Sequence, residues 1–154
     1  MIYLFDKELW REGNESVVTT EIDEVALRLE KKSGLFRTKI IVYDRYHVPI
    51  GLIEKHKLST GKMATIYYDE QVMAHLHFKG LPFMRKIEIT TPDKLTFKVK
   101  GKYKELNYRL LKGKKGVADV SPKYAHRPHQ YGMKTEGEKK HRYVYLCSAI
   151  ALAL

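Results

Sequence analysis

The sequence predicts an all-β protein with one helix: an antiparallel closed β-barrel of about 10–12 strands around a buried apolar C-terminal helix. Three observations predict it. Short segments alternate apolar and polar residues, which gives a strand one buried and one wet face. Turn residues separate those segments at hairpin spacing. The final stretch, from Tyr143 to Leu154, breaks the pattern: it is rich in alanine and leucine and carries no charge.

Strands are expected near 2–5, 16–22, 25–31, 38–43, 50–57, 62–68, 71–79, 84–90, 94–100 and 105–111, with two more at 116–120 and 130–135. Val25, Leu27 and Leu29 alternate with Ala26, Arg28 and Glu30; Val72, Ala74, Leu76 and Phe78 alternate with Met73, His75, His77 and Lys79. Leu95, Phe97 and Val99 keep an odd apolar phase, whereas Leu106, Tyr108 and Leu110 keep an even one. A turn or bulge near Gly101 to Lys104 must absorb the change. Lys32-Ser33-Gly34, Asp44-Arg45, Ser59-Thr60-Gly61, Asp69-Glu70, Pro92-Asp93 and the run from Lys112 to Gly116 are the expected connections. Ser121-Pro122 ends a strand because proline cannot donate to a ladder, and Tyr124 to Gly132 has no period and reads as a loop.

Ala and Leu favour helix, so 143–154 is expected to be helical. Such a helix is apolar all round and needs burial on every side. Twelve residues rise only about 18 Å, short of a bilayer core of about 30 Å. A helix lying on an open sheet and an anchor at a membrane surface are the rival placements; the number of strands before it favours the plugged barrel. Leu146, Ile150 and Leu152 are then its solvent-free residues.

The chain of 154 residues reads as one domain, 1–154, long enough for a core without staples. Its single cysteine, Cys147, rules out an internal disulfide and four-cysteine zinc sites. The amino-terminal stretch lacks the apolar core of a signal peptide, and no apolar run is long enough to span a membrane as a helix. A cytoplasmic protein, peripheral at a membrane, is the expectation. The net charge is +11 and uneven: residues 1–78 sum to −1 and residues 79–154 to +12. Such asymmetry points to an anionic partner or to a solvated basic face.

No catalytic signature is present: neither a nucleophile elbow, nor a P-loop, nor a His-Glu-x-x-His helix. The chain is therefore read as a non-enzyme, with no cofactor and no metal site. Gly113-Lys114-Lys115-Gly116 lacks P-loop spacing and reads as a turn. His75 and His77 share one strand face, but two imidazoles on a wet face need a third ligand to hold a metal. His126 and His129 flank Arg127-Pro128 in the loop. Cys147 reads as a small core residue. Tyr103, Tyr108, Tyr124 and Tyr131 lie among basic residues and suit either base stacking or barrel packing, with packing favoured.

Three segments resemble the Tubby-like superfamily in its small form, the LURP-one-related and phospholipid-scramblase-like domains. The first is the hairpin Ile40-Ile41-Val42-Tyr43 through Gly51-Leu52-Ile53-Glu54-Lys55; the second is Lys115-Gly116-Val117-Ala118-Asp119-Val120-Ser121-Pro122-Lys123; the third is the alanine-rich end from Tyr145 to Leu154. Together they span about residues 38 to 154. The resemblance implies a twelve-stranded antiparallel barrel around the terminal helix and binding of phosphoinositides by basic residues. Those positions do not match one by one, and the chain lacks an acidic residue after the helix.

The expected function is a non-enzymatic binding domain that recognises anionic phospholipid headgroups or a membrane surface through the basic second half. Lys98, Lys100, Lys102, Lys104, Arg109, Lys112, Lys114 and Lys115 are the expected binding residues. Lys98 and Lys100 oppose the parity of Phe97 and Val99 and should face water, with Arg109 beside them on the return strand. Nucleic acid is the alternative partner, and an acidic protein the third.

Overall fold

A computed structural model of the protein describes residues 1–11, 13–57, 61–80 and 86–154. Its strands are β1 (Ile2–Asp6), β2 (Glu15–Thr20), β3 (Val25–Ser33), β4 (Arg37–Tyr43), β5 (Pro49–His56), β6 (Lys62–Tyr68), β7 (Gln71–Lys79), β8 (Lys86–Thr90), β9 (Thr96–Lys102), β10 (Asn107–Lys112), β11 (Lys115–Ser121) and β12 (Gln130–Thr135), followed by helix α1 (Lys139–Leu152). Each strand pairs antiparallel with its sequence neighbours, and β1 pairs with β12 to close the barrel. The fold class read from the alternating pattern is the one observed.

The interior follows from strand parity. Leu27 and Leu29, Ile40 and Val42, Ala74 and Leu76, and Tyr108 and Leu110 are all buried and belong to one core. α1 fills the space they enclose. Leu146, Ile150 and Leu152 are 5%, 0% and 5% exposed, and every helical residue from Tyr143 to Leu152 is buried. The hydroxyl of Tyr143 donates to the Tyr67 carbonyl at 2.6 Å. That contact needs Gly51: a Cβ there would overlap the Tyr143 hydroxyl. Tyr145 packs edge-on against Phe97 with centroids 5.5 Å apart. Tyr108 and Tyr131 are likewise core residues, Tyr131 stacking on Phe5. They serve packing and offer no platform for bases.

Several boundaries differ from expectation. α1 begins four residues earlier than 143, at Lys139, and ends at Leu152 instead of Leu154. The reason is solvation: its first turn, Lys139 to Arg142, lies at the open end of the barrel and keeps its charges partly wet. Loss of charge at Tyr143 marks where the helix becomes enclosed, not where it starts. The expected loop 124–132 yields its last three residues to β12, and Pro122–Tyr124 forms a 3-10 turn. The expected strand 84–90 is seen from Lys86; Met84 and Arg85, like Ser59 and Thr60 of one expected turn, lie outside the described residues. The phase change near Gly101 is absorbed by a 3-10 turn, Tyr103–Glu105, with Leu106 left-handed at φ 58°.

The meander sorts the connections to two ends. α1 enters at the end that carries the β2–β3, β4–β5, β6–β7, β8–β9 and β10–β11 turns. Its C-terminus emerges at the other end, here called the mouth, where Lys55 donates to the main-chain oxygen of Leu154.

Candidate functional site

Of the expected binding residues, Lys98, Lys100 and Arg109 come together on the outer wall. Lys100 lies directly opposite Arg109 in the β9–β10 ladder, and Arg109 lies opposite Asp119 on β11. Gly116 leaves room for the Arg109 guanidinium, which occupies the space a Cβ would need. An open groove of about 1130 Å³ runs over this wall, lined by Arg109, Lys112, Lys115, Lys123 and Lys134 among others. Asp119 in the groove is already engaged: it accepts from the Tyr124 hydroxyl at 2.6 Å and pairs with Lys123 at 3.4 Å. Lys123 and Lys134 therefore extend the wall beyond the expected set. Tyr124 packs against Gly132 on the outside of β12, and the Lys123 ammonium stands 5.1 Å from its ring.

The other expected residues divide between the two barrel ends, although Lys112 and Lys115 still line the groove with Arg109. Lys102 and Lys104 sit at the mouth, Lys102 paired with Glu105 at 3.7 Å. Lys112, Lys114 and Lys115 sit at the helix-entry end, around the two-residue turn in which Gly113 takes φ 62°. Six residues of β10, roughly 20 Å of strand, lie between the two groups. The eight residues do not form one cluster.

Sorting charge by barrel end exposes what sorting by chain half hides. Among the described residues, the helix-entry connections hold nine acids, Glu21, Asp23, Glu24, Asp69 and Glu70 among them, against Arg45, Lys94 and Lys114; Lys112, Lys115 and, in the first turn of α1, Lys139, Lys140 and Arg142 bring further cations to one side of that end. The mouth connections hold Lys7, Arg11, Lys57, Lys104, Lys123 and Arg127 against Glu8 and Glu105. The mouth also has a cavity of about 740 Å³, lined by Lys7, Trp10, Arg11, Lys31, Lys55 and Lys57 among others. The Lys31 ammonium stands 5.2 Å from the Trp10 ring, and Arg11 pairs with Asp6 at 3.3 Å. Burial lowers the pKa of Lys55, which leans inward toward the helix end. The Trp10 indole Nε1 is buried with no hydrogen-bond partner among the described residues.

The sequence reading missed this cavity because its lining cations come from residues 1–78, whose sum is −1. The signal was available in connection order. In a meander, alternate turns share an end, and half of the first-half acids (Glu21, Asp23, Glu24, Asp44, Asp69 and Glu70) fall in the turns opposite the cavity.

His75 and His77 stand half-buried on the outer face beside Lys62, and His56 is close enough to act on His75 electrostatically. His75 Nδ1 lies 3.1 Å from the Thr65 hydroxyl, and His77 faces Glu88 across the ladder. Burial, and then Lys62, lowers the pKa of both His56 and His75. Among the described residues no three metal-ligating side chains gather. Cys147 is fully buried, and burial pushes its thiol up to about 12, which leaves it a poor nucleophile. Among the described residues no helix is long and apolar enough to cross a membrane.

No family model, curated protein or solved structure matches the chain.

Proposed function

We propose that the protein is a non-enzymatic domain of Tubby-like type that binds anionic phospholipid headgroups, acting peripherally at a membrane. The twelve-stranded barrel around a terminal helix is the architecture that the sequence resemblance implies, and it supports that kinship. The observation that carries the reading is the Lys100–Arg109 pair. Like charges directly opposite in a ladder destabilise it, and Lys98 and Lys134 add to the same wall. An anionic group laid across the pair removes the repulsion, so the free wall is poised for phosphate oxygens, which guanidinium and ammonium groups both bind.

Each basic residue near an anionic surface contributes about 1 kcal/mol, screened beyond a Debye length of about 8 Å. Binding to phosphatidylcholine–phosphatidylserine vesicles should therefore be salt-sensitive, and binding to pure phosphatidylcholine vesicles negligible. Joint reversal of Lys98, Lys100 and Arg109 to Glu should weaken the former at least about tenfold. Unchanged binding in that variant would remove the wall from the reading. Tighter binding to duplex DNA than to the charged vesicles at equal ionic strength would replace it with the nucleic-acid alternative.

A further inference from the structure

The β3–β4 hairpin ends in two exposed apolar residues at the mouth. Leu35 is 81% exposed and Phe36 59%. Their hairpin carries Lys32, Arg37 and Lys39, of which Arg37 pairs with Glu54 at 3.1 Å and Lys32 with Glu30 at 3.9 Å. It is also tied down: Lys57 donates through its amide to the Phe36 carbonyl at 2.9 Å and through its ammonium to the Gly34 carbonyl at 2.7 Å. The tip is thus held outward while a lysine is fixed at its base. Beside it opens the mouth cavity with Lys7, Lys31 and Lys55, and Trp10 lines the same opening. Lys7 and Lys31 have no carboxylate partner among the described residues.

Exposed apolar residues alone do not select this end. Ile22, Tyr46 and Val48 are 70%, 72% and 52% exposed at the helix-entry end. They stand among Glu21, Asp23, Glu24 and Asp44, which an anionic surface repels, with Arg45 against the Tyr46 ring as the cation nearest to them. The mouth sets its apolar tip beside a cavity lined by Lys7, Lys31 and Lys55, the combination that holds a protein in the interface of an anionic bilayer. An aromatic residue at the opening suits the same depth.

Resting on the lipid reading above, we infer that the barrel docks end-on: the mouth faces an anionic bilayer, Leu35 and Phe36 enter the boundary between headgroups and acyl chains, and the mouth cations meet the headgroups. Lys102 and Lys104 share this end, Lys100 and Arg109 lie midway along the wall, and Lys98, Lys112, Lys114 and Lys115 lie toward the other end. The geometry adds two things to headgroup recognition: an orientation and an inserted element.

The test uses the full chain and phosphatidylcholine–phosphatidylserine vesicles. Leu35→Ser with Phe36→Ser should weaken vesicle binding roughly tenfold or more, since two large side chains lose their apolar environment. The thermal transition should stay where it was, because neither residue packs in the core. Ile22→Ser with Val48→Ser, at the acidic end, should bind as the unaltered protein does. In Phe36→Trp, the emission gained over that of Trp10, the only tryptophan of the chain, should be quenched by brominated acyl chains. Full binding by the Leu35/Phe36 variant, or no quenching in Phe36→Trp, overturns the end-on docking and leaves headgroup binding by the wall intact. Failure of the unaltered protein to bind the charged vesicles overturns both.

Discussion

The inside and the outside of this barrel are made from the same strands under opposite rules. Inside, composition is uniform: from Tyr143 to Leu152 the helix meets apolar side chains on every side, and each strand contributes every second residue. Outside, charge varies with position: basic at the mouth and over β9–β12, with acids gathered in the β2–β3, β4–β5 and β6–β7 turns of the helix-entry end. The interior decides whether the chain folds. The exterior decides what a folded chain meets. Changes to the first should cost stability outright, and changes to the second should move binding while stability stays nearly level.

The sharpest test is to bring an outer residue type inside. Ile150→Asp places a carboxylate where exposure is 0%. A buried unpaired charge costs several kcal/mol against a typical total of about 5–15 kcal/mol. Circular dichroism should show loss of the folded state, or a denaturant midpoint near zero; a cooperative transition close to that of the unaltered protein would mean that the helix is not enclosed.

A smaller effect of opposite sign is expected on the wall. Lys100→Glu turns the like-charge pair with Arg109 into an opposite-charge pair, which should raise stability by about 0.2–1 kcal/mol while weakening binding to charged vesicles. Denaturant titration beside vesicle co-sedimentation reads both quantities. A variant less stable than the parent would show that Lys100 and Arg109 do not repel, and the argument from their pairing would fall.

The smallest effect is on pH dependence. His56 and His75 are harder to protonate in the fold than in the unfolded chain, so the unfolded state takes up more protons on acidification. Their contribution is fully present above the ordinary histidine value of about 6.5 and is lost progressively as pH falls below it. The melting temperature should therefore decline in that window, and His75→Gln should flatten the decline. An equal decline in the variant would assign it elsewhere.

These contrasts also explain what was legible in the sequence. The interior was, because period-two alternation at Leu27, Leu29, Ala74, Leu76, Tyr108 and Leu110 is itself the physical cause of a one-faced strand, and a charge-free helix has few places to go. The pairing of Arg109 with Lys100 was legible in the same way, from parity and one turn. The start of α1 was not: Lys139 to Arg142 are helical but wet, and polarity alone does not separate a solvated first turn from a loop. The mouth was missed for a different reason. Lys7, Lys31 and Lys57 are dispersed along the chain and balanced within it by acids that the fold carries to the far end. Net charge over a stretch of sequence averages over both ends of every hairpin, whereas a partner meets one end.

The neighbour-by-neighbour order of the strands has a consequence for how the chain is made. Eleven of the twelve strand pairings join consecutive strands and can zip as local hairpins; only β1 with β12 joins distant segments, setting Leu4 opposite Gly132. That seam spans about three doublings more chain than a hairpin, roughly 2 kcal/mol of extra loop entropy, so it is the natural last step. During synthesis β1 emerges well before its partner strand β12, so its outer edge stays open to pairing with other chains until β12 has followed it. The helix follows β12 and belongs inside the wall. Shutting the seam and seating the helix are then one cooperative event, with α1 acting as the latch on β1 and β12.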